Sequence, residues 1–186
     1  MGKMIIKPFK IFYGWWIVAA SVLTALYVAG VIGYGFTSIF EPIVNEMGWS
    51  YTQVSFAASL RGLEEGILAS PVGILADRWG PRRLIFIGAS IVAIGLFLLS
   101  RITSLGTFYA SFILIAMGTS CCGMTTLMTA IANWFRRNMG MASGIAVCGF
   151  GLGGLLIPIM VKLIDMYNWR KTMVILSFGV LAIVLP

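Results

Sequence analysis

A chain of 186 residues that is 60% hydrophobic and only 10% charged is too apolar for a soluble domain, which would expose patches large enough to precipitate it. Its formal charge of +7 would suggest a nucleic-acid partner in a soluble protein, but here the basic residues gather between apolar runs, as the positive-inside rule requires of a membrane protein, and no nucleic acid is expected. The absence of histidine removes His-based triads, His metal sites and His proton relays, and neither a metal nor a cofactor is expected.

Residues 1–12 are basic, with Lys3, Lys7 and Lys10. The apolar run that follows is too long for a signal-peptide core and lacks a small-x-small cleavage site, so it reads as a retained first span over about 15–40. Tyr13, Trp15 and Trp16 form an aromatic belt at its start, and Glu41-Pro42 is expected to close it. After a short loop in which Ser50 or Thr52 could cap the next helix, a second span covers about 51–75. Further spans follow over about 84–100, 105–134, 139–164 and 169–186. The expected fold is therefore all-α: a polytopic membrane domain of six transmembrane helices. The N-terminus and the even-numbered loops share one side, which collects Lys3, Lys7, Lys10, Arg78, Arg82, Arg83, Arg136 and Arg137. The other side holds Arg101, Lys162, Arg170 and Lys171, so the N-terminus is expected to be cytoplasmic.

The first span carries Thr24, Tyr27, Tyr34 and Ser38 on one helical face. The second carries Arg61, Glu64 and Glu65 near its middle. A charge at the centre of a lipid-facing helix costs roughly 2.5–3.5 kcal/mol on insertion scales. At about 100° per residue, Glu65 lies about 40° from Arg61 and Glu64 about 60° to the other side, so all three fit one polar arc. That arc serves either as an internal ion pair locking the span to a neighbour or as a substrate or coupling-ion site. One arginine cannot neutralise two carboxylates, and the surplus makes a glutamate a candidate for proton coupling. Ala58, Gly62, Gly66 and Ser70, four apart, form a small-residue ladder expected to pack against another helix.

Residues 73–83 (GILADRWGPRR) place Asp77, Arg78, Arg82 and Arg83 in a turn between two spans, with Gly80 and Pro81 supplying the bend. The fourth span has Thr119, Cys122, Thr126, Thr129 and Asn133 at helical spacing. Such hydroxyl stripes either line a cavity or bond back to their own helix. Tyr27, Tyr34, Thr126 and Thr129 join Arg61, Glu64 and Glu65 as the candidate substrate or coupling-ion pathway. Cys121, Cys122 and Cys148 lie in apolar runs without C-x-x-C spacing and read as packing residues. The fifth span holds Gly149, Gly153, Gly154 and Pro158, a G-x-x-x-G surface plus a helix breaker, suited to tight packing or to flexing.

Several of these segments carry a family likeness. Residues 73–83, with Gly-x-x-x-Asp-Arg-x-Gly followed by further arginine, resemble the signature loop between helices 2 and 3 of the major facilitator superfamily. Tyr13-Gly14-Trp15-Trp16, Gly48-Trp49-Ser50, and the stretch from Trp134-Phe135-Arg136-Arg137 to Ala146 resemble the oxalate/formate-antiporter and monocarboxylate-porter branches, and 149–158 is like a Gly-rich antiporter-type segment. The resemblance implies a secondary transporter built from two six-helix halves, each of two inverted three-helix repeats, around a central site. On that pattern this chain is the N-terminal half, located in the plasma (inner) membrane. The implied substrate is a small organic anion. Gly73, Asp77, Arg78, Gly80 and Arg82 or Arg83 inherit a conformational gating role through contacts with the other half. Pro81 stands where the commoner pattern has a basic residue, and the fourth span lacks the arginine frequent in proton-coupled members. The chain ends at Pro186 inside an apolar run, as expected of a front half whose partner is a missing C-terminal half or a second copy. The competing reading is a self-contained six-helix scaffold or homodimeric half-transporter. An intramembrane hydrolase is unsupported, since there is neither histidine nor G-x-S-x-G.

Overall fold

The computed structural model describes residues 14–135 and 138–184. Lys3, Lys7, Lys10, Tyr13, Arg136 and Arg137 lie outside the described residues. Every regular element among the described residues is helical. In order they are α1 (Gly14–Tyr27), a π-helical segment (Val28–Tyr34), α2 (Gly35–Met47), α3 (Tyr51–Trp79), α4 (Pro81–Ser100), α5 (Leu105–Cys122), α6 (Met124–Ala132), α7 (Met139–Leu152), a 3-10 turn (Gly153–Leu156), α8 (Ile157–Tyr167) and α9 (Trp169–Val184). Four continuous helical stretches are long and apolar enough to cross a membrane: Gly14–Met47, Pro81–Ser100, Leu105–Ala132 and Met139–Tyr167. Of the six spans expected, the second (α3) is long enough at 29 residues, but Arg61, Glu64 and Glu65 interrupt its apolar character. The sixth, α9, has 16 described residues.

Two expected boundaries move. Glu41-Pro42 does not close the first span: Pro42 lies inside α2, which runs to Met47. Proline deletes one N–H and crowds one carbonyl, a local loss that neighbours can offset in a packed helix. The stop comes at Gly48, whose left-handed backbone (φ 66°) closes the helix end. The Asp77-Arg78 stretch is likewise helical to Trp79 rather than a loop. The turn reduces to Gly80, whose φ of 83° only glycine adopts cheaply, followed by Pro81 in the first turn of α4. A capping box at Ser50 and Gln53 starts α3, and another at Ser104 and Thr107 starts α5.

Small residues set the helix approaches. A Cβ at Gly118 of α5 would lie 2.7 Å from the Gly88 carbonyl of α4, and one at Gly149 of α7 would lie 2.7 Å from the Val22 carbonyl of α1. The main core joins Ile43, Val54, Leu99, Ile102, Phe108, Phe112, Met160 and Trp169; a smaller one joins Val18, Ile131, Phe135, Ala142 and Ala146. Among the described residues, the ladder Ala58, Gly62, Gly66 and Ser70 packs against no helix. All four residues are exposed, and a Cβ at Gly62 or Gly66 would meet nothing within 4 Å. The charged arc decides this: turning Arg61 and Glu65 inward leaves the ladder facing out.

Candidate functional site

The site is built where α3 crosses the π-helical segment and α5. The capping box and the inward row Val54, Ala57, Val72 and Ala76 fix the rotation of α3, which carries Arg61 and Glu65 onto the inner face. Arg61 Nε donates to Glu65 Oε1 at 2.9 Å, and Arg61 Nη1 donates to the Ile32 carbonyl at 2.6 Å. The Thr119 hydroxyl of α5 lies 3.3 Å from the same Glu65 oxygen and 3.0 Å from the Ala116 carbonyl, so its single proton is shared between the two acceptors. The Arg61 side chain is 20% exposed and that of Glu65 39%. The pair thus holds opposite charges together with extra hydrogen bonds, as desolvated charges require.

Both residues line a cavity of about 400 Å³. Its wall also includes Gly33 and Tyr34 of the π segment, Thr119, Ser120, Gly123 and Thr125 around the α5–α6 break, and Phe150 of α7. The volume suits a small organic molecule. Among the described residues Arg61 Nη2 and Glu65 Oε2 have no hydrogen-bond partner, so the pair keeps the Nη2 N–H donors and the Oε2 acceptor to offer such a molecule.

The candidates from the sequence divide. Arg61, Glu65 and Tyr34 come together at the cavity. Tyr27 does not: it is buried and donates its hydroxyl to the Leu176 carbonyl of α9 at 2.6 Å. A π segment turns less per residue than an α-helix, so the seven-residue spacing from Tyr27 to Tyr34 no longer marks one face. Thr126 and Thr129 also miss the cavity. Thr126 is fully buried with its hydroxyl unpartnered, and Thr129 bonds back to the Thr125 carbonyl. The extended backbone at Gly123 breaks the span, shifts the stripe, and puts Ser120 and Thr125 in the wall instead. Glu64 stands off the cavity, with Oε2 shielded from solvent and unpartnered.

Asp77, Arg78, Arg82 and Arg83 are exposed, and none forms an ion pair among the described residues. Gly149 and Gly153 pack against the first span, while Gly154 has open space beside it and Pro158 sits in the first turn of α8. Gly153 and Gly154 open the 3-10 turn, where the fifth span leaves α geometry.

Sequence reasoning missed a second polar cluster, at the far end of α4. Arg170 Nε donates to Glu46 at 2.9 Å, while Nη1 and Nη2 donate to the Ser100 and Ile102 carbonyls at 3.0 and 3.1 Å. Trp169 Nε1 donates to the other Glu46 oxygen, and the Arg170 guanidinium stacks on the Trp169 ring. Nearby Trp169 and Arg170 are the only signal in the sequence; the acceptors lie at least 68 positions away. A polar groove of about 370 Å³ between α2 and α8 is lined by Thr37, Ser38, Glu41, Asn45 and Asp165.

Comparison with known proteins bears on what this arrangement does. The family model described as Major Facilitator Superfamily matches residues 20–186. Monocarboxylate transporter 13 of Bos taurus is 29% identical over 167 residues, covering 89% of this chain and 39% of the relative. The MFS-type transporter opdF of Penicillium oxalicum is 31% identical over 180 residues, covering 90% of the chain and 40% of the relative. The oxalate:formate antiporter of Oxalobacter formigenes is 28% identical over 141 residues, covering 76% and 33%. The chain thus spans about two fifths or less of the length of these relatives.

Proposed function

The chain belongs to the Major Facilitator Superfamily, and from that premise we propose that it forms the N-terminal half of a secondary active transporter moving a small organic anion by alternating access. Membership in that superfamily and its apolar helices make it an integral membrane protein of a transporter family, not an enzyme. The observation that carries the proposal is the Arg61–Glu65 pair in the wall of the cavity. In a membrane protein an ionisable pair beside a cavity marks a solute or ion pathway. Arg61 supplies the cation for a carboxylate, and the hydroxyls of Tyr34 and Thr125 supply further hydrogen bonds, while Ser120 donates to the Ala116 carbonyl. The substrate class is taken from the relatives named for monocarboxylate and for oxalate and formate.

The six expected spans then form two inverted three-helix repeats, with the N-terminus cytoplasmic and the protein in the plasma (inner) membrane. Asp77, Arg78 and Arg82 or Arg83 are free to meet a second body and hold one conformation. Their exposure, together with the unpacked ladder on α3, supports a partner half supplied by a C-terminal segment or by a second copy. A stand-alone six-helix scaffold is the competing reading, and intact mass from the native membrane separates the two. A mass about twice 20.2 kDa fits a two-half transporter; 20.2 kDa leaves a second copy or the scaffold.

The direct test is uptake of labelled oxalate, formate and lactate into vesicles holding the full-length protein. Arg61→Gln is expected to lower uptake at least tenfold while Thr129→Ala leaves it within twofold. Uptake unchanged by Arg61→Gln overturns the reading.

A further inference from the structure

Arg61 faces the cavity with one edge and grips the first span with the other. The π-helical segment Val28–Tyr34 forms part of the cavity wall through Val28, Ala29, Gly33 and Tyr34. A π segment bonds i→i+5 instead of i→i+4, and such departures from α geometry are frequent at functional sites. Its Ile32 carbonyl accepts the 2.6 Å bond from Arg61 Nη1. The same guanidinium is held from the other side by Glu65, itself a cavity residue.

The π segment also meets another helical irregularity, the 3-10 turn Gly153–Leu156 of the fifth span. The approach is backbone to backbone: a Cβ at Gly30 would lie 2.7 Å from the Gly153 carbonyl, and one at Gly153 would lie 2.8 Å from the Gly30 nitrogen. A shift of one irregular segment toward the other therefore meets backbone, which side-chain rotation does not clear.

We propose that Arg61 is a positioning residue that clasps the π segment, so that an occupant of the cavity controls the shape of the first and fifth spans through the Ile32 carbonyl. A carboxylate drawn to Arg61 pulls the guanidinium toward the cavity and off Ile32. The freed carbonyl lets the π segment repack, the angle between α1 and α2 changes, and the Gly30–Gly153 contact passes the change to the α7–α8 junction. The switch rests on the proposed substrate role of the cavity; the clasp itself does not, and it is tested without ligand.

Hydrogen exchange is followed by mass spectrometry on the full-length protein in detergent, comparing wild type, Arg61→Lys and Glu65→Gln. Lysine keeps the charge for Glu65 but lacks the fork that serves two acceptors at once. Arg61→Lys is expected to speed exchange about tenfold in peptides covering 28–38 and 150–158, the effect of losing one charge-assisted hydrogen bond. Peptides of α4 and α9 should stay within twofold, and Glu65→Gln, which spares the Ile32 bond, should leave 28–38 within twofold. No change at 28–38 in Arg61→Lys overturns the clasp. So does an equal rise across α4 and α9, or an equal rise in Glu65→Gln. Failure of uptake in vesicles with these exchange results intact would instead count against the substrate reading.

Discussion

Arg170 spends every nitrogen of its guanidinium on a different partner, and the consequence of removing it can be worked out. Arg170→Gln deletes one bond to Glu46 and two to the Ser100 and Ile102 carbonyls. The Ser100 carbonyl is the last of α4, where helix groups lack partners and positive charge is favoured, and the Ile102 carbonyl lies in the link just beyond. Hydrogen bonds from a charged donor contribute roughly 1.5–3 kcal/mol each when buried. The Arg170 and Glu46 side chains are 31% and 41% exposed, so each carbonyl bond is discounted to about 1 kcal/mol and the ion pair to about 0.5 kcal/mol. The expected loss is about 2.5 kcal/mol for Arg170→Gln, against about 0.5 kcal/mol for Glu46→Gln, which leaves the carbonyl bonds in place. Reversible unfolding in mixed micelles of dodecyl maltoside and SDS, scored by tryptophan fluorescence, reads both values. A loss below about 0.5 kcal/mol for Arg170→Gln, or equal losses for the two variants, refutes the reasoning, because the two carbonyls would then contribute nothing.

Two further outcomes follow from the packing and the site. Gly118→Ala puts a Cβ against the Gly88 carbonyl and should cost about 1–3 kcal/mol in the same unfolding assay, whereas Gly62→Ala enters open space and should fall within about 0.5 kcal/mol. If Glu65 is the group that couples transport to protons, Glu65→Gln abolishes the response of uptake to an imposed pH gradient; uptake in Glu65→Gln that stays fully driven by the gradient removes Glu65 from that role.

Much of this protein is legible in its residues because the reasoning is local. Composition and the placement of basic residues point to a membrane protein, since lipid tolerates few charges and the cytoplasmic side collects cations. Arg61 and Glu65 share one arc at i and i+4 in an unbroken helix, and the structure pairs them at 2.9 Å. Gly80-Pro81 mark the turn because glycine takes the positive φ at low cost and proline suits the first turn of a helix. The stretch 73–83 resembles the family's signature loop without any contact being known, and the family model matches residues 20–186.

Tertiary structure decided everything that depended on helical phase or on distant partners. Counting at about 100° per residue assumes an uninterrupted α-helix. The π segment at 28–34, the break at Gly123 and the 3-10 turn at 153–156 each reset that count. They separate Tyr27 from Tyr34 and replace Thr126 and Thr129 by Ser120 and Thr125 in the cavity wall. The Tyr27 hydroxyl finds its acceptor 149 positions away, and Arg170 reaches a carbonyl on a helix packed beside its own. Chain order carries no information about such pairings; they exist only once close-packed helices fix which groups lie within hydrogen-bond reach.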